Sequence, residues 1–121
     1  MSDPLNAPIS IRRYRDFYFS VQEKTELGNP WDLRGYSIAL CVKANITDPD
    51  SKALYLSESF YSENLQFGTY SFLLPHTITS GSGWNVSSAA YEVVYKDPNN
   101  VVQTRIEGVA TIGPSVLVTV P

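Results

Sequence analysis

Apolar residues recur at every second position in segment after segment of this chain. Phe17, Phe19 and Val21 share one side of the first such segment, with Tyr18, Ser20 and Gln22 on the other. Tyr36, Ile38, Leu40 and Val42 alternate with Ser37, Ala39, Cys41 and Lys43; Tyr70, Phe72 and Leu74 repeat the pattern, as do Tyr91, Val93 and Tyr95. A period of two places alternate side chains on opposite faces of a strand and does not fit a helix. Breakers close each segment: Gly28, Asn29 and Pro30, then "NITDPDS", Gly81 and Gly83, "DPNN", and Gly113-Pro114.

The remaining segments fit the same scheme. "KALYLSES" predicts a shorter strand, "VVQTRIEGVATI" a long one with Gly108 as the candidate bulge, and "SVLVTVP" a closing strand. "DPNN" predicts a hairpin turn in which Asn takes the left-handed conformation. "HTITSGSGW" has room for at most one helical turn, because Gly81 and Gly83 oppose more. The sum is an all-β chain, a single immunoglobulin-like β-sandwich of about seven antiparallel strands over residues 10–121. Residues 1–9, with Pro4 and Pro8, read as an extended N-terminal arm.

A chain of 121 residues fits one domain with its own core. Hydrophobic residues at 43% and charged residues at 17% exclude a disordered chain. The net charge of −3 offers no basic surplus for phosphates, so no nucleic-acid partner is expected. Arg12, Arg13 and Arg15 are the local exception, read either as a solvated face or as a contact for an acidic surface on a partner. The single cysteine, Cys41, excludes an internal disulfide and reads as a small packing residue. "MSDPLNAP" lacks the basic-then-apolar order of a signal peptide, and no apolar run approaches the roughly 20 residues of a membrane span. Synthesis in a cytoplasm and no membrane partner are the expectations.

Catalytic constellations are not visible. His76 is the only histidine, follows Pro75 at a strand end, and has no nucleophile elbow near it in sequence. His76 and Cys41 are too few nitrogen and sulfur ligands for zinc. The carboxylates of "DPDS" and "KDPNN" lack calcium-loop spacing and suit turn geometry instead. "GSGWN" has neither the lysine nor the following helix of a phosphate loop. No enzyme, metal or cofactor is expected. Tyr55, Phe60, Tyr61 and Phe67 flank or occupy an aperiodic connection, where they either wrap the core or form an adhesive surface.

The stretch "GNPWDLRGY", Gly28 to Tyr36, resembles a corner of small immunoglobulin-like domains in bacteriophage tail and baseplate proteins, the baseplate upper protein N-terminal-like group. There a "G-N-P-I-D-L-T-G-Y" turn precedes an alternating strand; Gly28, Asn29, Pro30, Asp32, Leu33, Gly35 and Tyr36 match, and Trp31 and Arg34 are variants. The closing hairpin is similar as well, through Tyr91, Val93, Asp97, Pro98, Val101, Ile106, Gly108, Ile112 and Pro114. The matches span residues 9–118. An Arg-Gly-Asp-Thr-like opening is replaced by Tyr14, Arg15, Asp16 and Phe17, and Asn99-Asn100 stand where a glycine is usual.

The resemblance implies a virion structural protein that assembles in several copies on a tail, baseplate, neck or fibre. Its partners would be other virion proteins and copies of itself. A capsid decoration protein and a host-glycan-binding module are the alternatives. The candidate assembly surface comprises Pro4, Leu5, Arg12, Arg13, Tyr55, Phe60, Tyr61, Phe67, Val116, Val118 and Val120. In "SVLVTVP" the three valines share one face of a strand whose edge could pair with another chain.

Overall fold

A computed structural model describes residues 4–57 and 65–114. Phe60, Tyr61, Val116, Val118 and Val120 lie outside the described residues. The elements are β1 (Leu5–Asn6), β2 (Ile9–Arg12), β3 (Phe17–Gln22), β4 (Ser37–Lys43), β5 (Tyr55–Ser57), β6 (Thr69–Leu74), α1 (His76–Thr79), β7 (Ser88–Lys96) and β8 (Val102–Gly113). One sheet runs β1-β8-β7-β4-β5 with β2 also on β8; the other is the antiparallel pair β3-β6.

In chain order, β3 and β6 face a sheet made of β8, β7, β4 and β5. That is the B–E against G–F–C–C′ arrangement of an immunoglobulin-like sandwich. β1 lies within the expected arm of residues 1–9, and β2 carries the same N-terminal strand path past that boundary to Arg12. Both pair with β8 in parallel, not antiparallel as expected: Leu5 beside Ile106, and Ile9 to Arg12 beside Ala110 to Gly113.

The period of two decides the faces as expected. Ile38, Leu40, Val42, Tyr70, Phe72, Leu74, Tyr91, Val93 and Tyr95 are all buried. Phe17, Phe19 and Val21 pack against them from β3, whereas Tyr18, Ser20 and Gln22 are exposed. The rings of Phe19 and Tyr91 meet edge-on at 5.9 Å, joining the two sheets where no disulfide is available. Each fully buried large side chain contributes about 1.5–3 kcal/mol.

Two features depart from the expectations. The β-bulge lies at Arg105, not at Gly108: the register shifts so that Val93 faces Ile106 and Val94 faces Thr104. Gly108 serves a different purpose, because a Cβ there would stand 2.6 Å from the carbonyl oxygen of Ala7. The close passage of the arm, not a bulge, requires glycine at that position. Cys41 lies on the outer face of β4, half-buried opposite Glu92 and Leu56.

Candidate functional site

The corner that raised the resemblance is built by backbone geometry. Gly28 and Gly35 have φ of 84° and 87°, a region costly for any residue with a Cβ. Thr25 N–H donates to Asn29 at 2.7 Å and Gly28 N–H returns to Thr25 at 2.9 Å, closing the turn. Asp32 accepts the Arg34 amide at 3.0 Å and pairs with its guanidinium at 2.6 Å. Those bonds hold the Asp32 carboxyl at about 2, although the pair itself is exposed. Leu33 is fully buried in the core, its amide donating to the Leu65 carbonyl at 2.9 Å.

The closing hairpin obeys the same logic. Asp97 Oδ1 accepts the amides of Asn99 and Val101 at 2.8 and 2.9 Å, and Asn100 takes the left-handed φ of 65°. A Cβ on Gly35 would be 3.1 Å from Pro98 Cγ. The corner and the hairpin turn, 63 positions apart (98 − 35), therefore touch.

Beneath the corner sits a polar–aromatic cluster that sequence reasoning missed. Glu23, just past β3, is 6% exposed and forms an ion pair with Arg105 at the bulge. The Arg105 guanidinium lies 5.8 Å above the Trp31 ring. Trp31, Tyr36 and Tyr95 contact one another edge-on at 6.0–6.1 Å, and Tyr95 donates a hydrogen bond to the Tyr70 hydroxyl at 2.7 Å. Burial pushes the Tyr70 and Tyr95 phenols above their ordinary value. Glu23, Tyr70 and Tyr95 are buried, whereas Trp31, Tyr36 and Arg105 keep part of their surface in solvent. Glu23 and Arg105 are 82 positions apart, and no local pattern announces their meeting.

His76 opens α1. Its amide donates to Asp16 Oδ1 at 2.6 Å and its Nδ1 lies 2.9 Å from the same oxygen. These hydrogen bonds, side chain first, lower the Asp16 carboxyl below its usual range. The nearby Ser80 hydroxyl donates to the Thr77 carbonyl at 3.0 Å. Among the described residues, no three His, Cys, Asp or Glu side chains gather to hold a metal ion.

Among the described residues, the candidate assembly positions lie on different elements. Leu5 is 56% exposed on β1, and Tyr55 lies on β5, at the opposite edge of the large sheet. Tyr55 is half-buried and packs on the core. Arg12 is exposed and donates to the Pro114 carbonyl at 3.1 Å. Arg13 turns to the loop after α1, donating to the carbonyls of Ser80 and Gly81 at 3.3 and 3.1 Å. Pro4 is exposed, and Phe67 is 50% exposed at the end of a short 3-10 turn.

The outer face of the large sheet holds a shallow concavity of about 640 Å³ over Cys41, Ala90, Glu92 and Glu107, bordered by Ile46 and Val109. Glu92 and Glu107 stand directly opposite each other, while Lys43 is paired with Asp50 at 2.7 Å. Burial raises the Cys41 thiol above its ordinary value.

No family model matches the sequence, and no curated protein matches it. Among solved structures, the chain is similar to one in "Crystal structure of ICOS in complex with ICOS-L and an anti ICOS-L VNAR domain". The alignment has a TM-score of 0.48 and 11% identity, and covers 93% of this chain and 56% of the other. The immunoglobulin-like assignment rests on the strand order given above.

Proposed function

We propose that this chain is a non-enzymatic structural component of a bacteriophage particle, present in several copies on the tail, baseplate, neck or fibre. The observation that carries the reading is the resemblance of the Gly28–Tyr36 corner and the Tyr91–Pro114 hairpin to tail and baseplate domains. These two segments meet at Gly35 and Pro98 and are held by turn geometry. Exposed apolar side chains add support: Leu56, Val109, Phe67 and Ile46 leave the sandwich with surface that copies or neighbours could cover. Repetition in a particle multiplies such weak contacts.

Mass spectrometry of purified particles, with antibody labelling in electron microscopy, tests the reading. The chain should be found at many copies per particle and labelled at one structural position. Its absence from washed particles would overturn the proposal.

A further inference from the structure

The N-terminal strands are tied to the rest of the sandwich by a four-residue turn, Arg13 to Asp16, between β2 and β3. Tyr14 in that turn has φ of 63°, a conformation rarely adopted by a bulky residue and strained when it is. Beside it, the Nε of Arg13 is buried without a hydrogen-bond partner. Two local costs therefore coincide at the one connection that joins the arm to β3.

The arm's own contacts carry no such strain. The Ala7 amide donates to Glu107 and the Arg13 amide to Gly113, both at 2.9 Å, extending the parallel ladder on β8. Ile11 is 1% exposed, and Ile9 and Ala7 pack against the core. The Tyr91 hydroxyl donates to the Ala7 carbonyl, and Gly108 leaves room for that carbonyl. The ladder, the Tyr91 bond and the Gly108 gap belong to β7 and β8. They accept a strand of this sequence whichever copy supplies it.

We infer that the edge of β8 is an acceptor for the Leu5–Arg12 arm of a second copy, so that two chains exchange their N-terminal strands through the Arg13–Asp16 hinge. Exchange repeats the arm–β8 contacts in trans and lets the hinge extend, which relieves the left-handed Tyr14. A strained short hinge favours such swapping, and swapping joins identical copies at little cost. Opposing it, Thr79 Oγ1 donates to the Arg15 carbonyl at 3.1 Å and His76 holds Asp16, so α1 latches the hinge in its closed form. Exchange then proceeds when the latch opens, as during folding at high concentration. Only two copies of this chain are required, so the exchange stands or falls separately from the virion reading.

The test uses the full chain with Asn6→Cys and Glu107→Cys, which are register partners, in a Cys41→Ser background. The protein is refolded at low and at high concentration, oxidised, and run without reductant alongside light scattering. Exchange predicts disulfide-linked dimers that rise several-fold with concentration. Tyr14→Pro, which forbids positive φ, should raise the dimer fraction, and Tyr14→Gly, which accepts it, should lower it. If Tyr14→Pro fails to fold, the native hinge and Tyr14→Gly still decide. Links that stay within one chain at every concentration overturn the inference, as does a dimer fraction indifferent to Tyr14→Gly.

Discussion

The hydroxyls of Tyr95 on β7 and Tyr70 on β6 lie 2.7 Å apart, one donating to the other, and bridge the two sheets inside the core. Both side chains are almost fully buried, at 0% and 1% exposure. Without Tyr70 Oη, the Tyr95 hydroxyl loses this partner where water does not reach. Tyr70→Phe is therefore expected to cost about 1–3 kcal/mol. The double variant with Tyr95→Phe should cost less than the two single changes together. Urea unfolding of the four proteins measures the coupling; strict additivity would show that the bond contributes nothing.

The same tyrosines set an alkaline limit. Burial first, and then their mutual contact for Tyr95, raises both phenols above the ordinary 10.0. The folded state thus favours the neutral form. This contribution is fully present below pH 10 and fades above it, as the unfolded chain ionises and the folded one does not. Urea midpoints followed from about pH 8 to about pH 11 should fall steeply for the native protein. The fall should be shallower for the double Phe variant.

Arg105 reaches from the bulge to cover the buried carboxylate of Glu23. Removing one partner leaves the other charge in a poor environment, so Arg105→Met is expected to destabilise by about 3 kcal/mol. Adding Glu23→Gln should recover part of that loss. A double variant as unstable as the sum of its parts would assign Arg105's contribution to its stacking on Trp31 instead.

On the exposed face the expectation reverses. Glu92 and Glu107 are direct cross-strand neighbours of like charge. Glu107→Lys should stabilise by about 0.2–1 kcal/mol, and the gain should shrink in high salt. A thermal unfolding comparison at two salt concentrations is sufficient, and a loss of stability would count against the register.

The strand β4 gives the plainest check of the core. Ile38→Ala or Leu40→Ala should each cost about 2–5 kcal/mol, whereas Ser37→Ala, on the exposed side, should cost little. If Ser37 were the costly position, the faces of the strand would be exchanged.

Much of this architecture is local and was therefore legible in the sequence. Alternation assigned the faces of β3, β4, β6 and β7, because a strand side chain has only two directions to take. The corner and the hairpin turn were legible too, since Gly35, Asp32, Asp97 and Asn100 act on backbone within a few residues of themselves. Their contact at Pro98 was not, because nothing in either turn encodes the other. Trp84, 2% exposed, sits in an aperiodic segment where no period could mark it as core. Glu23 and Arg105 carry no local pattern that pairs them, because only the fold brings residues 82 positions apart together.

By itself, then, the sequence determined the class of the fold, the inward faces and the turns, all of which follow from spacings of two to five residues. The tertiary structure alone decided where the bulge falls, why Gly108 must lack a side chain, and that the arm lies along β8. These depend on which strands become neighbours, and residues as distant as Ala7 and Gly108 acquire their constraint only once the chain has closed on itself.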